Sequence, residues 1–324
     1  MLKYLIKRFI GLIPILLIIS FIIFFMIELM PGDPLSTLLG DTMPNDPLER
    51  ERLREEMGLN RPLVTRYGDW LGSLVRGDLG KSSIYGYEDV SSVMTRTIRA
   101  SFILNITSFL LALLIAIPIG VKSAVKKYSL FDNVFSVVVF LGVSMPSFFF
   151  ALILIYIFGL NIDFLPIGRM TSILRPESVS RMTYTLDVMR HMILPVTVMT
   201  FLNLAPLARY TRNSMLEVLK QDYIRTAKSK GLKDKVVIYR HGFRNALLPL
   251  ITILTMWIPT LFGGAIILET VFNWPGVGRA LLRGINGQDR GLVMACLVFF
   301  ALLRVSANLL ADFLYGVVDP RVRY

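Results

Sequence analysis

The sequence contains one cysteine, Cys296, and only two histidines, His191 and His241, which lie far apart in the chain. One cysteine cannot form a disulfide within the chain, and neither an HExxH nor a CxxC spacing occurs. Neither a metal site nor a catalytic constellation of side chains is therefore expected. Cys296 lies within an apolar run, where we interpret it as a small packing residue.

The sequence is rich instead in long apolar segments. Its 324 residues are 54% hydrophobic and only 18% charged, with a mean hydropathy of +0.60. Segments of about 20 apolar residues are long enough for a helix to cross the hydrocarbon layer. The sequence therefore predicts an all-α integral membrane protein with six transmembrane helices. The predicted spans are 9–30, 100–121, 134–160, 191–210, 246–269 and 291–316.

Lysine and arginine residues indicate the orientation of these spans. The N-terminus, the 122–133 loop, the 209–244 loop and the C-terminal tail are basic, and the 209–244 loop has ten basic residues against three acidic ones. Cytoplasmic loops of membrane proteins carry such an excess, so both termini are expected on the cytoplasmic side of the membrane. The net charge of +12 is explained in this way, without nucleic-acid binding.

The region between the first two spans, residues 31–99, is expected to form a small helical region outside the membrane. It is slightly acidic, with nine basic and eleven acidic residues. Asp46 is a predicted N-cap, Pro47 the first helical residue and Gly58 the stop signal. The predicted organisation is the N-terminal end with the first helix (1–30), this extracytoplasmic region (31–99), and a five-helix core (100–324) that contains the basic loop 211–245.

Within that loop, the sequence predicts one amphipathic helix over residues 215–230. Ser214 and Glu217 form an S-x-x-E capping box, and Gly231 supplies a left-handed stop. Apolar residues that include Ala227 recur at helical spacing. Two interpretations remain: a helix on anionic lipid, or a docking helix for a partner subunit. The small side chains at Ala227 and Gly231 favour docking, because they permit close backbone approach.

Motifs along nearly the whole chain resemble a known family. They are "MPGDP", "GLNRPLVTRYGDWL", "GDLGKS", "GVSMPSFF", "ILP", "DYIRTAKSKGL", "RHGFRNALLP", "ETVFNWPGVGR" and "DPRVRY". In this order they resemble the ABC-importer permeases of the dipeptide, oligopeptide and nickel branch. The glutamate of the general coupling-loop pattern is absent, since Arg225 and Thr226 precede Ala227.

The resemblance implies a type I importer fold and a pore subunit without catalytic activity. A second similar permease, two cytoplasmic ATPases and an extracytoplasmic binding protein would complete the complex in the lipid membrane. The chain itself would hold no cofactor, and ATP and Mg²⁺ would bind to the ATPases. The expected substrates are di- or oligopeptides, with nickel or oligosaccharides as alternatives. The residues implied in ATPase coupling are Glu217, Tyr223, Arg225, Ala227, Gly231, Asn245 and Pro249.

Polar or kinked positions within the spans are candidates for the translocation path. They are Asn105, Met145, Ser147, Asn203, Arg304 and Asn308. Pro146 is expected to break the third span. Arg304, Asn308 and Asp312 share one helix face, which lines a path or locks helices together. Residues 273–279 are expected to form a tight re-entrant turn or an outer gate, with a plain surface turn as the alternative.

Proteins of other classes fit the sequence less well. A secondary transporter needs membrane carboxylates that bind Na⁺ or H⁺, and the spans offer only Asp312 and the span-end residues Glu28 and Glu269. A membrane enzyme needs a nucleophile with a base or a metal, and none is evident. A lipid-bound scaffold would not explain six spans with kinks and polar interruptions.

Overall fold

The computed structural model describes residues 2–33, 35, 44–172, 180–247, 250 and 257–318. The described part of the first half contains four helices and a small hairpin. These elements are α1 (Leu2–Glu28), α2 (Pro47–Glu56), α3 (Leu63–Val75), β1 (Lys81–Ser82), a 3₁₀ turn (Ser83–Tyr85), β2 (Glu88–Asp89) and α4 (Val90–Val125). The two strands pair antiparallel, with Lys81 opposite Asp89.

The second half is helical throughout its described elements. They are α5 (Leu130–Ser144), α6 (Ser147–Leu154) with a π-helical extension (Ile155–Asn161), α7 (Arg181–Val218), α8 (Asp222–Ser229), α9 (Asp234–Val236) with a π-helical extension (Val237–Phe243), a 3₁₀ turn (Ile258–Leu261), α10 (Ile266–Val271), α11 (Val277–Asn286) and α12 (Arg290–Val318).

Four described helices are long and apolar enough to cross a membrane: α4 and α7 in full, Ile10–Glu28 of α1 and Arg290–Leu310 of α12. The segments Leu130–Gly142 and Ser147–Asn161 add a fifth span if the bent pair counts as one. They meet at 101° beside Pro146, which confirms the predicted break. The predicted span 246–269 lies partly outside the described residues, so the expectation of six spans is not confirmed.

Local signals in the 31–99 region are confirmed. The Asp46 carboxylate accepts a hydrogen bond from the Leu48 amide at 3.0 Å, and α2 begins at Pro47. Gly58 has φ +67°, the left-handed conformation that favours glycine. The amide of Gly58 donates to the Glu55 carbonyl. Capping residues, prolines and glycines of this kind therefore allow these helix ends to be predicted from the sequence.

A helical region wholly outside the apolar layer is not confirmed, because α3 contacts the apolar part of α1. The Tyr67 hydroxyl donates to the Leu17 carbonyl at 3.2 Å and shares a 2.8 Å hydrogen bond with Ser20. Its ring lies edge-on against Phe21. Leu17 precedes Glu28 by about three helical turns, or roughly 16 Å. The Tyr67 side chain of the amphipathic α3 thus reaches the depth of the apolar part of α1.

The centre of the molecule is the packing of α4 against α7. They come close together at Gly120, where an added Cβ would lie 2.6 Å from the Thr211 Cβ and 2.8 Å from the Ala208 carbonyl oxygen. Only glycine permits this distance between the two backbones. A second apolar cluster joins α1, α4, α11 and α12, and fully buried Cys296 packs within it, as the sequence predicts.

Candidate functional site

The predicted helix over 215–230 is wrong, because α7 continues to Val218 and a separate helix, α8, spans Asp222–Ser229. Ser214 therefore lies inside α7, not at an N-cap. The break follows from the backbone of Lys220 and Gln221, whose amides donate to the carbonyls three residues before them. The S-x-x-E pattern is local, whereas burial of Met215 against α4 keeps α7 helical through that point.

The end of the short helix is as predicted. Gly231 has φ +74°, and its amide donates to the Lys228 carbonyl at 2.9 Å. The Leu232 amide donates to the Ala227 carbonyl at 3.4 Å. Glycine at this position satisfies the last carbonyls of the helix without steric strain.

The apolar face of α8 packs against the chain itself. Ile224 and Ala227 are buried in one cluster with Val237, beside Leu219 of the preceding turn. Ala227 thus does not form an exposed docking ridge, contrary to the sequence-based expectation. The surface that α8 offers to a partner is its opposite face. Asp222, Arg225, Thr226 and Ser229 lie on that face and are exposed, and the exposed residues Tyr223 and Lys228 flank the buried one.

The other predicted coupling residues lie on both sides of α8. Glu217 is exposed on the last turn of α7, and Asn245 is exposed beyond the π-helical turn, where its amide nitrogen donates to the His241 carbonyl at 2.7 Å. Pro249 lies outside the described residues. Their role in ATPase coupling stays a prediction.

A buried ion pair fixes the end of α7 beside this segment, and sequence reasoning missed it. The Arg212 guanidinium donates to both Asp132 carboxylate oxygens, at 2.8 and 2.9 Å. Ser123 of α4 and the Tyr128 amide also donate to that carboxylate. Asp132 is 2% exposed, so α4, α5 and α7 meet at an enclosed charge that is fully hydrogen-bonded. The sequence does contain a signal at Asp132, because Ser129 and Asp132 form the S-x-x-D pattern at the start of α5.

The motif "ETVFNWPGVGR" is enclosed in the core, which excludes a plain surface turn. Phe272 and Trp274 are fully buried, and the Trp274 indole donates to the Ala100 carbonyl at 3.0 Å. The chain therefore folds back between α10 and α11 within the helix bundle. Whether this turn acts as a gate stays a prediction.

Glu269 of that motif is a second buried carboxylate that sequence reasoning did not single out as a structural residue. It is 0% exposed and accepts hydrogen bonds from the Ser101 hydroxyl at 2.6 Å, the Ala265 amide at 3.2 Å and the Arg279 amide at 3.0 Å. Gly276 lies directly against it, since a Cβ there would be 2.3 Å from the carboxyl carbon. An ionisable residue in an apolar span was the available signal.

A large cavity lies between α4 and the first half of α7 and has a volume of about 1340 Å³. We call it the α4–α7 cavity. Its lining is mainly apolar, with hydroxyl groups and two arginines. The lining residues on these two helices are Ser91, Ser92, Thr95, Arg96, Arg99, Ala100, Ile103, Thr107, Leu111, Tyr184, Thr185, Val188, Met189, Met192, Ile193, Val196 and Thr197.

The predicted path residues are not brought together there. Ser147 and Asn203 line another cavity, of about 570 Å³, beside α10. Asn105 is buried, and its amide nitrogen donates to the Leu261 carbonyl at 3.0 Å, so it links α4 to the 3₁₀ turn. Met145 lies in the break between α5 and α6.

The polar face of α12 is only partly described. Arg304 and Asn308 are exposed on this chain, and Asp312 lies within α12 with its side chain outside the described residues. The choice between a path lining and a lock stays open. Across the described part of the chain, no group of three His, Cys, Asp or Glu side chains is placed to hold a metal ion.

Comparison with known proteins identifies the family. The model of the binding-protein-dependent transport system inner membrane component matches residues 116–324, and the model of the N-terminal part of such membrane components matches residues 1–85. The chain is 39% identical to the oligopeptide transport system permease protein AppB of Bacillus subtilis over the full length of both chains.

A second relative is the di/tripeptide transport system permease protein DppB of Pseudomonas aeruginosa. It is 35% identical over 336 aligned residues, which cover 100% of this chain and 99% of the relative. With its apolar helices, this chain is a multi-pass membrane protein. It belongs to the family of binding-protein-dependent transport system inner membrane components, the permease subunits of ABC importers.

Proposed function

We propose that this chain is a pore subunit of an ATP-driven importer for di- or oligopeptides. It performs no covalent chemistry. A second similar permease completes the pore, two separate ATPases bind and hydrolyse ATP with Mg²⁺, and an extracytoplasmic binding protein delivers the peptide. The proposed substrate class rests on the relatives named as oligopeptide and di/tripeptide permeases.

The observation that carries the mechanism is the continuity of α7. This helix has 38 residues, or about 57 Å at 1.5 Å per residue, whereas the hydrocarbon layer is about 30 Å thick. Its first half lines the α4–α7 cavity, and its last turn leads into α8. Movement of α8 by a partner is thereby transmitted to the cavity wall.

The exposed face of α8 is the proposed contact with an ATPase. Arg225 and Asp222 lie 3.7 Å apart and are 81% and 95% exposed, so both charges are available to a partner. The apolar side of the same helix packs on Val237 and Leu219. A helix anchored on one face and polar on the other is suited to dock as a rigid element.

The proposed topology places both termini and α8 in the cytoplasm and residues 44–89 on the outer side, with the Tyr67 side chain reaching into the apolar layer beside α1. The basic residues of the 209–244 loop support this orientation. A secondary transporter is disfavoured by Glu269, whose oxygens accept hydrogen bonds from Ser101 and two amides of this chain. That carboxylate is therefore committed to structure.

The test uses the importer complex in proteoliposomes, with the unmodified chain, Arg225→Glu or Lys126→Glu. Lys126 is an exposed cation outside α8 and serves as the matched charge-reversal control. We expect ATP-dependent uptake of a labelled dipeptide with the unmodified chain and the control. Arg225→Glu should lose both ATPase co-purification and uptake.

Other outcomes would support a different function or a different substrate. Uptake that depends on an ion gradient without ATP would establish a secondary transporter. ATP-dependent uptake of nickel or an oligosaccharide, without peptide uptake, would retain the importer and replace the substrate. If Arg225→Glu and Lys126→Glu behave alike, α8 is not the ATPase contact.

A further inference from the structure

The α4–α7 cavity has two arginines on one wall. Arg96 and Arg99 are one helical turn apart on α4, and both line the cavity. Residues at this spacing lie on the same helix face. No acidic side chain is among the described lining residues, so positive charge dominates this end of the cavity.

The two arginines differ in their partners. Arg96 donates to both Glu88 carboxylate oxygens, each at 3.1 Å. Hydrogen bonds from Ser92 and then Arg96 lower the pKa of Glu88, so the carboxylate is ionised at neutral pH and offsets the charge of Arg96. Arg99 is exposed to the cavity and forms no salt bridge with any described carboxylate. It is therefore the uncompensated cation of this wall.

The other residues that line the cavity have few free polar groups to bind one particular side chain of a peptide. The hydroxyls of Thr107, Thr185 and Thr197 donate to carbonyls of their own helices, at 2.7, 2.9 and 2.7 Å. The rest of these two walls is mostly methionine and aliphatic surface, which adapts to different shapes. The cavity's volume of about 1340 Å³ exceeds the range of roughly 300–1,000 Å³ typical of small-molecule sites, so a short peptide fits.

We propose that Arg99 receives the terminal carboxylate of a peptide as it passes through the α4–α7 cavity. Side chains vary between peptides, whereas a free carboxylate is common to all unmodified ones. A guanidinium binds a carboxylate through two parallel hydrogen bonds. Arg99 thus favours free-acid peptides over their C-terminal amides. This inference rests on the proposed function, since it assumes that peptides are the substrate.

The first measurement is uptake of labelled trialanine and its C-terminal amide by the reconstituted importer, with one unchanged binding protein. A charge-assisted contact to Arg99 predicts that Arg99→Gln lowers free-acid uptake about tenfold and changes amide uptake little. Arg99→Lys should retain part of the preference. Arg96→Gln is the matched control and should leave the ratio of acid to amide uptake near its original value.

The second measurement detects occupancy without transport or ATP. Cys296 is fully buried, so a cysteine introduced as Thr197→Cys is the reactive thiol in the cavity. Trialanine should protect it from a maleimide in the assembled complex, and Arg99→Gln should remove this protection. Val75→Cys, at a residue 80% exposed outside the cavity, is the unprotected control.

Each contrary result has a distinct meaning. An unreactive Thr197→Cys without peptide would show that the second permease covers this wall, which overturns the inference. Equal loss of acid and amide uptake in Arg99→Gln, or no loss of either, also overturns it. Failure of the unmodified importer to take up any peptide with ATP refutes the proposed function instead, and the protection measurement then decides separately whether Arg99 binds the carboxylate.

Discussion

At the scale of single residues, Glu269 illustrates how a charge is accommodated in an apolar bundle. A buried carboxylate is tolerated when its oxygens are hydrogen-bonded, and three donors from α4, α10 and α11 converge on this one. The Ser101 hydroxyl also accepts from the Val277 amide at 2.9 Å, which extends the network to the following turn. Glu269 therefore joins α10 to the neighbouring α11 and to α4, which is distant in sequence.

The close approach of Gly276 to that carboxylate gives a sharp prediction. In Gly276→Ala, the new Cβ would lie 2.4 Å from both carboxylate oxygens, so Glu269 must move away from its donors. Each buried donor that loses its partner costs about 1–3 kcal/mol. We expect the free energy of unfolding to fall by about 2–4 kcal/mol, measured by thermal unfolding in detergent.

A matched glycine provides the control for this substitution. Gly68 lies inside α3 with no atom near its would-be Cβ, and alanine is the better helix former by about 1 kcal/mol. Gly68→Ala should therefore be neutral or stabilising. Equal thermal unfolding of the two variants would contradict a structural role for the Glu269 network.

At the scale of elements, the ion pair between Asp132 and Arg212 is the connection that holds α4, α5 and α7 at one end. Removal of Arg212 as Arg212→Ala leaves a buried carboxylate with weaker neutral donors. Breaking one side of such a pair costs about 3–5 kcal/mol. We expect an unfolding free energy lower by about 3 kcal/mol, and the variant with Asp132→Asn added should recover part of the loss. A double variant no more stable than Arg212→Ala would refute the pair's contribution.

Neighbouring positions on α8 separate folding from docking. Ala227 is buried and Thr226 is exposed, so Ala227→Asp places a charge inside the cluster with Val237, whereas Thr226→Asp leaves it in water. The expected result is faster tryptic cleavage at Arg225 and Lys228 in Ala227→Asp only. Similar cleavage rates in both variants would contradict the packing of α8 on its own chain.

Sequence patterns predict helix ends best where one side chain sets the backbone. Asp46, Pro47, Gly58 and Gly231 act through local hydrogen bonds or a left-handed φ, and all four are found as predicted. The break at Pro146 has a local cause as well. By contrast, α7 continues past Ser214 because Met215 is buried against α4, a contact between distant segments that no local pattern shows.

The candidate functional residues show the same difference between local causes and contacts between distant segments. The family resemblance implies a coupling role for this loop, which stays a prediction, and which face of α8 is exposed depends on packing with Val237. Asn105 and Asn203 are both polar residues in spans, yet one binds a carbonyl and the other lines a cavity. The partners of Glu269 and Asp132 come from separate helices, so only the three-dimensional structure brings them together.

At the scale of the whole molecule, the proposed topology predicts which introduced cysteines react in intact cells. Buried Cys296 should give little background. A membrane-impermeant maleimide should label Val75→Cys in intact cells and Lys126→Cys only after permeabilisation, since the two exposed positions lie on opposite sides of the membrane in this topology. Labelling of Lys126→Cys in intact cells would reverse the assigned orientation.

The position of the Arg212–Asp132 pair along α7 has a mechanical consequence. From Arg212 to the end of the helix at Val218 is about 9 Å, and from Arg212 to Val188 in the cavity wall is about 36 Å, at 1.5 Å per residue. Pro195 and Pro206 lie between Val188 and Arg212, where packing against α4 supports the helix. If α7 keeps its shape across them and turns about the ion pair, a shift at Val218 becomes about fourfold larger at Val188. A small displacement at the α8 end of α7 would then produce a larger displacement of the cavity wall.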